Sequence, residues 1–258
     1  MALRLADIAD RLTLESFGRQ DLVVEAKPDL TPVTEADLAV ESELRRHLGR
    51  ERPGDAVVGE ELGSSAGAAG SDRRWIIDPI DGTKNFVRGI PVWATLIALE
   101  QDGAVVVGVA SAPALGRRWW AGRHLGAWTT TANGAHAGSA HPIHVSGIRR
   151  LGDAHLSYSS LNGWSVHGGP ANLLDLAGQC WRSRAFGDFW SHLLVAEGAC
   201  EIGLDPEVSL WDLAALQVIV EEAGGRFSDL SGAPRPDGGS AVSTNGLLHD
   251  RVLAILGQ

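Results

Sequence analysis

Cysteine is nearly absent: the 258 residues hold two, Cys180 and Cys200. They form no CxxC pair, and two thiols make no disulfide framework, so the chain reads as a protein of a reducing compartment. Long hydrophobic runs are missing as well. The longest uncharged apolar stretch, residues 103–115, contains glycines and a proline. A membrane span needs about 20 apolar residues. The opening residues Met1 to Asp7 put charge where a signal peptide needs an apolar run. Positive charge is scarce too: 22 Lys and Arg stand against 32 Asp and Glu, for a net charge of −10, and Lys27 and Lys84 are the only lysines. No block of five like charges occurs. An acidic chain without a basic patch lacks the footprint of a nucleic-acid binder and is repelled by anionic membranes. Glycine and proline, 32 and 11 residues, fall short of a low-complexity composition. What remains is ordinary for a globular protein, 44% hydrophobic and 21% charged. The length suits one large domain or two closely packed halves. The expectation is a soluble, cytoplasmic protein with carboxylates to spare for a cation.

Residues 3–17 place Leu5, Ile8, Ala9 and Leu12 at helical spacing, and Gly18 ends the pattern. Residues 27–32 read as a stiff, irregular segment. A second helix is expected from Thr34 to Leu48, stopped by Gly49 and Pro53. Residues 63–72 read as a flexible loop. The period then shortens. Strands are expected at 75–77, 92–99, 105–110, 117–121 and 126–129, with Gln101-Asp102-Gly103 marking a hairpin. Beyond a polar stretch at 131–142 the pattern alternates: strand 154–159, helices 170–179 and 189–198, strand 199–204, helix 212–223, strand 241–244, helix 246–256. This predicts an α/β protein with sheets covered by helices, and no internal repeat. The two halves are expected at 1–140 and 141–258.

The segment Trp75-Ile76-Ile77-Asp78-Pro79-Ile80-Asp81-Gly82-Thr83-Lys84-Asn85-Phe86 carries the most chemistry. An apolar strand delivers Asp78, proline stiffens the turn, and Asp81 follows. Two carboxylates held that close repel each other, and a hard divalent cation relieves the repulsion. N–H groups around Gly82 and Thr83 would form an anion cradle beside it. A cation next to an anion cradle suits a phosphate ester. The bland alternative is an Asp turn that caps backbone groups. Gly59-Glu60-Glu61 and Trp211-Asp212-Leu213 offer further carboxylates, though alone each reads as a solvated pair or a first-turn helix residue. Thr34-Glu35-Ala36-Asp37 has capping-box form.

Taken together these motifs resemble the inositol monophosphatase superfamily of metal-dependent phosphomonoesterases. Thr31 to Asp37, Gly59 to Glu61, Trp75 to Phe86, Trp211 to Ala215 and Glu222-Ala223-Gly224-Gly225 occur in the family's order and spacing across almost the whole chain. The resemblance implies a layered αβαβα sandwich. It implies two to three Mg²⁺ ions, with Mn²⁺ as a substitute, and a homodimer. By the same resemblance Glu60, Asp78 and the carbonyl of Ile80 hold one ion, and Asp78, Asp81 and Asp212 a second. Asp37 and Thr83 orient and deprotonate the attacking water. Gly82 and Thr83 cradle the phosphate, with Glu60, Asp81 and Asp212 also near it. The implied reaction is direct in-line attack by metal-activated water, without a phosphoenzyme.

Leaving-group recognition is expected from Arg184, Gly187, Asp188 and Asp205. Inositol phosphatases carry a neutral run where this chain has Gly187-Asp188-Phe189. Asp188 and Asp205 would suit a protonated amine or imidazole better than a polyol. Together with residues 86–93 and 112–115, this pattern resembles the histidinol-phosphate phosphatases of the superfamily. It implies hydrolysis of L-histidinol phosphate in histidine biosynthesis. The alternatives are an inositol-1-phosphate or fructose-1,6-bisphosphate phosphatase, for which Asp188 is unneeded, a 3′-phosphoadenosine 5′-phosphate phosphatase, which would want basic residues where this chain is acidic, and a non-catalytic scaffold, which would be marked by a lost metal ligand. For Asp188 itself the bland alternative is a helix N-cap.

Overall fold

The computed structural model of the chain describes residues 1–19, 21–26, 32–132, 138–167 and 169–257. The irregular segment expected at 27–32 lies almost wholly outside the described residues. In chain order the elements are α1 (Ala2–Ser16), β1 (Val24–Ala26), β2 (Pro32–Thr34), α2 (Glu35–Glu51), β3 (Ala56–Gly59), β4 (Gly63–Ser65), β5 (Arg73–Asp81), α3 (Thr83–Val87), β6 (Ala94–Gln101), β7 (Ala104–Ala112), β8 (Arg117–Gly122), β9 (Ala127–Thr131) and β10 (His141–Ile143). They continue as β11 (His155–Tyr158), α4 (Ala171–Gln179), β12 (Arg182–Arg184), α5 (Asp188–Ala196), β13 (Ile202–Asp205), α6 (Leu210–Glu222), β14 (Arg226–Ser228), β15 (Ala241–Thr244) and α7 (His249–Leu256).

The first large sheet has the order β10-β9-β8-β7-β6-β5-β3-β4 and the second β12-β11-β13-β15-β14. Both are mixed: β3 runs parallel to β5, and β11 parallel to β12 and β13, while the remaining pairs are antiparallel. The continuous apolar run of β5 follows from burial on both faces. Trp75 and Ile77 face the core shared with Leu5, Val40 and Leu44 of α1 and α2. Ile76 between them faces the opposite core, with Leu193, Leu213 and Ile219 of α5 and α6. A third core sets Leu156, Ile202 and Val242 of the second sheet against Leu173 of α4 and Val252 of α7. The layers are therefore helix, sheet, helix, sheet, helix, as the αβαβα expectation holds. The β6–β7 hairpin turns on Asp102 and Gly103, both with positive φ (52° and 75°), the twist a two-residue turn needs.

Several boundaries differ from the sequence reading. The loop expected at 63–72 contains β4, an edge strand paired with β3. The three-residue strands β1, β2, β10, β12 and β14 are too short for a period to show. The helix α6 begins at Leu210 rather than 212, and α7 at His249 rather than 246. Among the described residues no helix is long and apolar enough to cross a membrane.

Candidate active site

The site forms where β5 stops pairing regularly. Asp78 lies opposite Leu96 and Asp81 opposite Ala94, so two residues of β5 bulge against one of β6. Pro79 cannot donate to a ladder, which favours a bulge at this point. Thr95 on β6 donates its hydroxyl to the Pro79 carbonyl at 2.8 Å, and the Ile80 N–H donates to Asp78 Oδ1 at 2.9 Å. Gly82 then turns the chain with φ 85° into α3. A Cβ there would sit 3.0 Å from the Val92 carbonyl and 3.3 Å from Asp188 Oδ2, so only glycine fits both the angle and the space. Thr83 donates its hydroxyl to the Ile80 carbonyl at 2.9 Å.

Two other elements deliver acids to the same place. Glu60 follows β3, and its N–H donates to the Ile77 carbonyl at 3.2 Å. Asp212 lies in the first turn of α6 and accepts the Ser209 N–H at 2.7 Å. Glu60, Asp78 and Asp212 present carboxylate oxygens within 4.8 Å of one another. Glu60, Asp81, Gly82, Thr83, Asp188, Asp205 and Asp212 line one cleft of about 790 Å³.

Asp188 is not a helix cap. It has φ 48°, in the left-handed region, and opens α5 without capping it. Its carboxylate instead accepts the Asn85 amide at 3.2 Å. The N–H of Phe189 is satisfied from the other half of the chain, by Asp81 Oδ2 at 2.7 Å. Asp205, at the end of β13, accepts the Ser159 hydroxyl at 2.9 Å. Asp37 is fully buried and does form the capping box: its Oδ2 accepts the Thr34 N–H at 2.8 Å and hydroxyl at 2.6 Å. It does not line the cleft, and neither do Gly187, at the N-cap of α5, and Arg184, exposed on β12 with its guanidinium donating to the Ser183 carbonyl.

Sequence reasoning did not name Lys84, Asn85, Ser159, His192 or Glu207 as site residues, yet all line the cleft. Lys84 and Asn85 sit inside the quoted motif. Ser159 and His192 carry no local signal, because a strand end and an apolar helix look the same without a ligand.

The electrostatics are those of a crowded acid cluster. Burial, then Glu60, Asp81 and Asp212, push Asp78 well above the usual carboxylate range. Burial, then Asp188 and Asp212, do the same to Asp81. Burial lifts Asp205 to about 7 and Asp212 to about 6. Burial also raises Asp188, against the pull of the Lys84 ammonium. His192, which donates to or accepts from Ser243 through Nδ1, is pushed down to about 4 by burial and stays neutral.

Raised carboxylates favour the folded state most when protonated. Their contribution is full below 3.8, the unfolded value, and is lost as pH rises through 6 and 7, the folded values of Asp212 and Asp205. Metal-free protein should therefore melt at progressively lower temperature between pH 5 and pH 8. A divalent cation should raise the melting temperature most at the high end, where the acids are ionised. Thermal melts in EDTA and in Mg²⁺ across that range check this.

The donor set is hard, anionic oxygen, mutually repelled, with Asp78 buried and Glu60, Asp81 and Asp212 facing the cleft. That fits a cation such as Mg²⁺, which takes few protein carboxylates and keeps waters. A left-handed glycine turn with N–H groups beside the acids adds a place for an anion. Fold and site define a class: layered α/β proteins whose acidic centre can hold a metal ion beside an anion site. The sequence model of the inositol monophosphatase family matches residues 1–258, and the chain belongs to that family. It is 57% identical to a histidinol-phosphatase of Mycobacterium tuberculosis, over 99% of this chain and 96% of that protein. A histidinol-phosphatase of Streptomyces coelicolor is 54% identical over 98% and 94% of the two chains. The solved structure of the extragenic suppressor protein suhB from Bartonella henselae superposes with a TM-score of 0.88 at 27% identity, covering 100% of this chain and 97% of that one. The chain is thus a phosphatase, a hydrolase of phosphoric monoesters.

Proposed function

We propose that the chain hydrolyses L-histidinol phosphate to L-histidinol and phosphate, a step of histidine biosynthesis, with Mg²⁺ as its cofactor. The observation that carries the substrate is the pair Asp188 and Asp205 in the same cleft as the Glu60–Asp78–Asp212 cluster. A neutral polyol offers two desolvated acids hydroxyl donors but no compensating charge, whereas an ammonium or imidazolium holds them ionised. The high identity to two histidinol-phosphatases supports the same choice over inositol 1-phosphate or fructose 1,6-bisphosphate.

Glu60, Asp78, Asp81, Asp212 and the Ile80 carbonyl would hold two to three Mg²⁺ ions, or Mn²⁺ in their place. Bound there, such ions lower the pKa of water and neutralise phosphate charge. The chain's own groups do the rest. The N–H groups of Gly82 and Thr83 face the phosphate oxygens. The Thr83 hydroxyl orients the attacking water, and Asp37, buried outside the cleft lining, takes the proton by way of that hydroxyl. Asp188 and Asp205 accept N–H donors of the leaving alcohol, fixing it in line with the attack. A homodimer and a cytoplasmic setting complete the reading. Family resemblance supports the dimer. The compartment is supported by Cys180 and Cys200, both unpaired, whose thiols burial pushes up to about 11 and 12.

The test is phosphate release from histidinol phosphate. EDTA should abolish it and Mg²⁺ should restore it, and full turnover in metal-free buffer would reject the reading. Asp37→Asn separates chemistry from capping. A proton acceptor used in the transition state should lose kcat at least about a hundredfold with KM within a few-fold. A helix cap alone would cost about 1 kcal/mol of stability and leave kcat intact.

A further inference from the structure

Glu41 is a charged residue buried without any exposure in the middle of α2. Its carboxylate is spent on one turn, the connection from β3 to β4. Oε2 accepts the Glu61 N–H at 2.8 Å and Oε1 the Leu62 N–H at 3.1 Å. Arg45, one helical turn on, neutralises it through Nε at 2.7 Å and reaches over to the Gly63 carbonyl and the Ser65 hydroxyl of β4. The turn was shaped around this acid. A Cβ on Gly59 would collide with the Glu41 carboxyl group, so a side chain there would have to push that carboxylate aside.

The residue caught inside this arrangement is Glu60. Its own N–H is tied to the Ile77 carbonyl, immediately before Asp78. The next N–H, of Glu61, is tied to Glu41. The peptide units on both sides of the Glu60 Cα are thus anchored, one to β5 and one to α2. Left to itself, a three-residue turn bearing two adjacent glutamates beside Asp78 and Asp212 would swing its acid outward to water, because like charges repel in a buried site.

We propose that Glu41 is a positioning residue for the metal centre: through the Glu61 and Leu62 N–H groups it holds Glu60 at the distance from Asp78 and Asp212 that a cation needs. The proposal rests on the reading of Glu60 as a metal ligand. Partners that orient ligands commonly govern metal affinity about 10–100-fold. Glu41 touches neither the cation nor the ester, so its loss should act on metal binding and leave the chemistry of the loaded enzyme nearly unchanged.

The experiment titrates Mn²⁺ into metal-free protein and reads free Mn²⁺ by electron paramagnetic resonance, alongside the Mg²⁺ dependence of phosphate release. Glu41→Gln keeps the shape but turns an amide toward one of the two N–H donors. It should weaken Mn²⁺ binding about 10–100-fold and raise the Mg²⁺ concentration for half-maximal rate by a similar factor. The rate at saturating Mg²⁺ should stay within a few-fold of wild type. Gly59→Ala pushes on the carboxylate from the other side and should weaken Mn²⁺ in the same way, which covers the case in which Glu41→Gln does not fold. Leu173→Ala, a cavity in the core under α4, should lower the melting temperature without moving Mn²⁺ affinity. Unchanged Mn²⁺ affinity in a folded Glu41→Gln or Gly59→Ala protein overturns the proposal, whatever the melting temperature. Glu60→Gln separates the two claims. If it weakens Mn²⁺ and Glu41→Gln does not, positioning fails and the ligand assignment stands. If Glu60→Gln binds Mn²⁺ as wild type does, the ligand assignment itself is wrong.

Discussion

Asp78→Asn should lower kcat at least about a thousandfold, because it removes the acid proposed to hold both metal ions. The same substitution should not weaken the metal-free fold. Asp78 is almost fully buried, and its ionised form is opposed by burial and by Glu60, Asp81 and Asp212. An asparagine has the same shape, still offers an oxygen to the Ile80 N–H, and carries no charge to desolvate. Melting in EDTA should therefore be unchanged or higher, and the gain on adding Mg²⁺ should shrink. A dead enzyme that is at least as stable as wild type is the signature of a site built against its own stability. Activity within tenfold of wild type would remove Asp78 from the metal centre.

Asp188→Asn should reduce kcat/KM for histidinol phosphate by about one to two powers of ten. A hydrogen bond to a charged group contributes about 1.5–3 kcal/mol, and each 1.4 kcal/mol is tenfold. Asparagine is the substitution of choice because it tolerates the left-handed backbone that Asp188 adopts at φ 48° and can still accept the Asn85 amide. Hydrolysis of a small neutral phosphate ester should fall by less than about threefold, since no proposed metal ligand changes. Equal losses on both esters would make Asp188 a structural element of the cleft. The choice of substrate would then rest on overall identity alone.

The fold was readable where the pattern was long. The apolar run of β5, the α1 period and the Asp102-Gly103 hairpin each specify their element through local chemistry. Strands of three residues were not readable. β4 is Gly63-Ser64-Ser65, with no apolar side chain, and it is held by its pairing with β3 and by Arg45 of α2 rather than by any preference of its own. Within the site, Asp78 and Asp81 declared themselves as two acids on a proline-stiffened strand end. Glu60 and Asp212 became candidates only as members of a set, since each alone looks like surface or a helix start.

Asp188 shows why local reading stops short. The sequence offered a helix cap, yet α5 has Gly187 at its N-cap, the Ser191 N–H goes to the Gly187 carbonyl, and the Phe189 N–H goes to Asp81, 108 residues away. Glu41 is a sharper case. Among Val40, Ser42, Glu43 and Arg45 it looks like one charge of a solvated helix face. Only the approach of the β3–β4 turn, and a glycine at 59 with no side chain to obstruct it, shows that the face is buried.

The most direct test of the account is phosphate release by the purified chain, in Mg²⁺, from histidinol phosphate, inositol 1-phosphate and fructose 1,6-bisphosphate side by side. The expected result is a kcat/KM for histidinol phosphate at least about a hundredfold above either polyol ester, as two charge-assisted contacts to the leaving group would give. A preference for inositol 1-phosphate, or equal rates on all three, would contradict it.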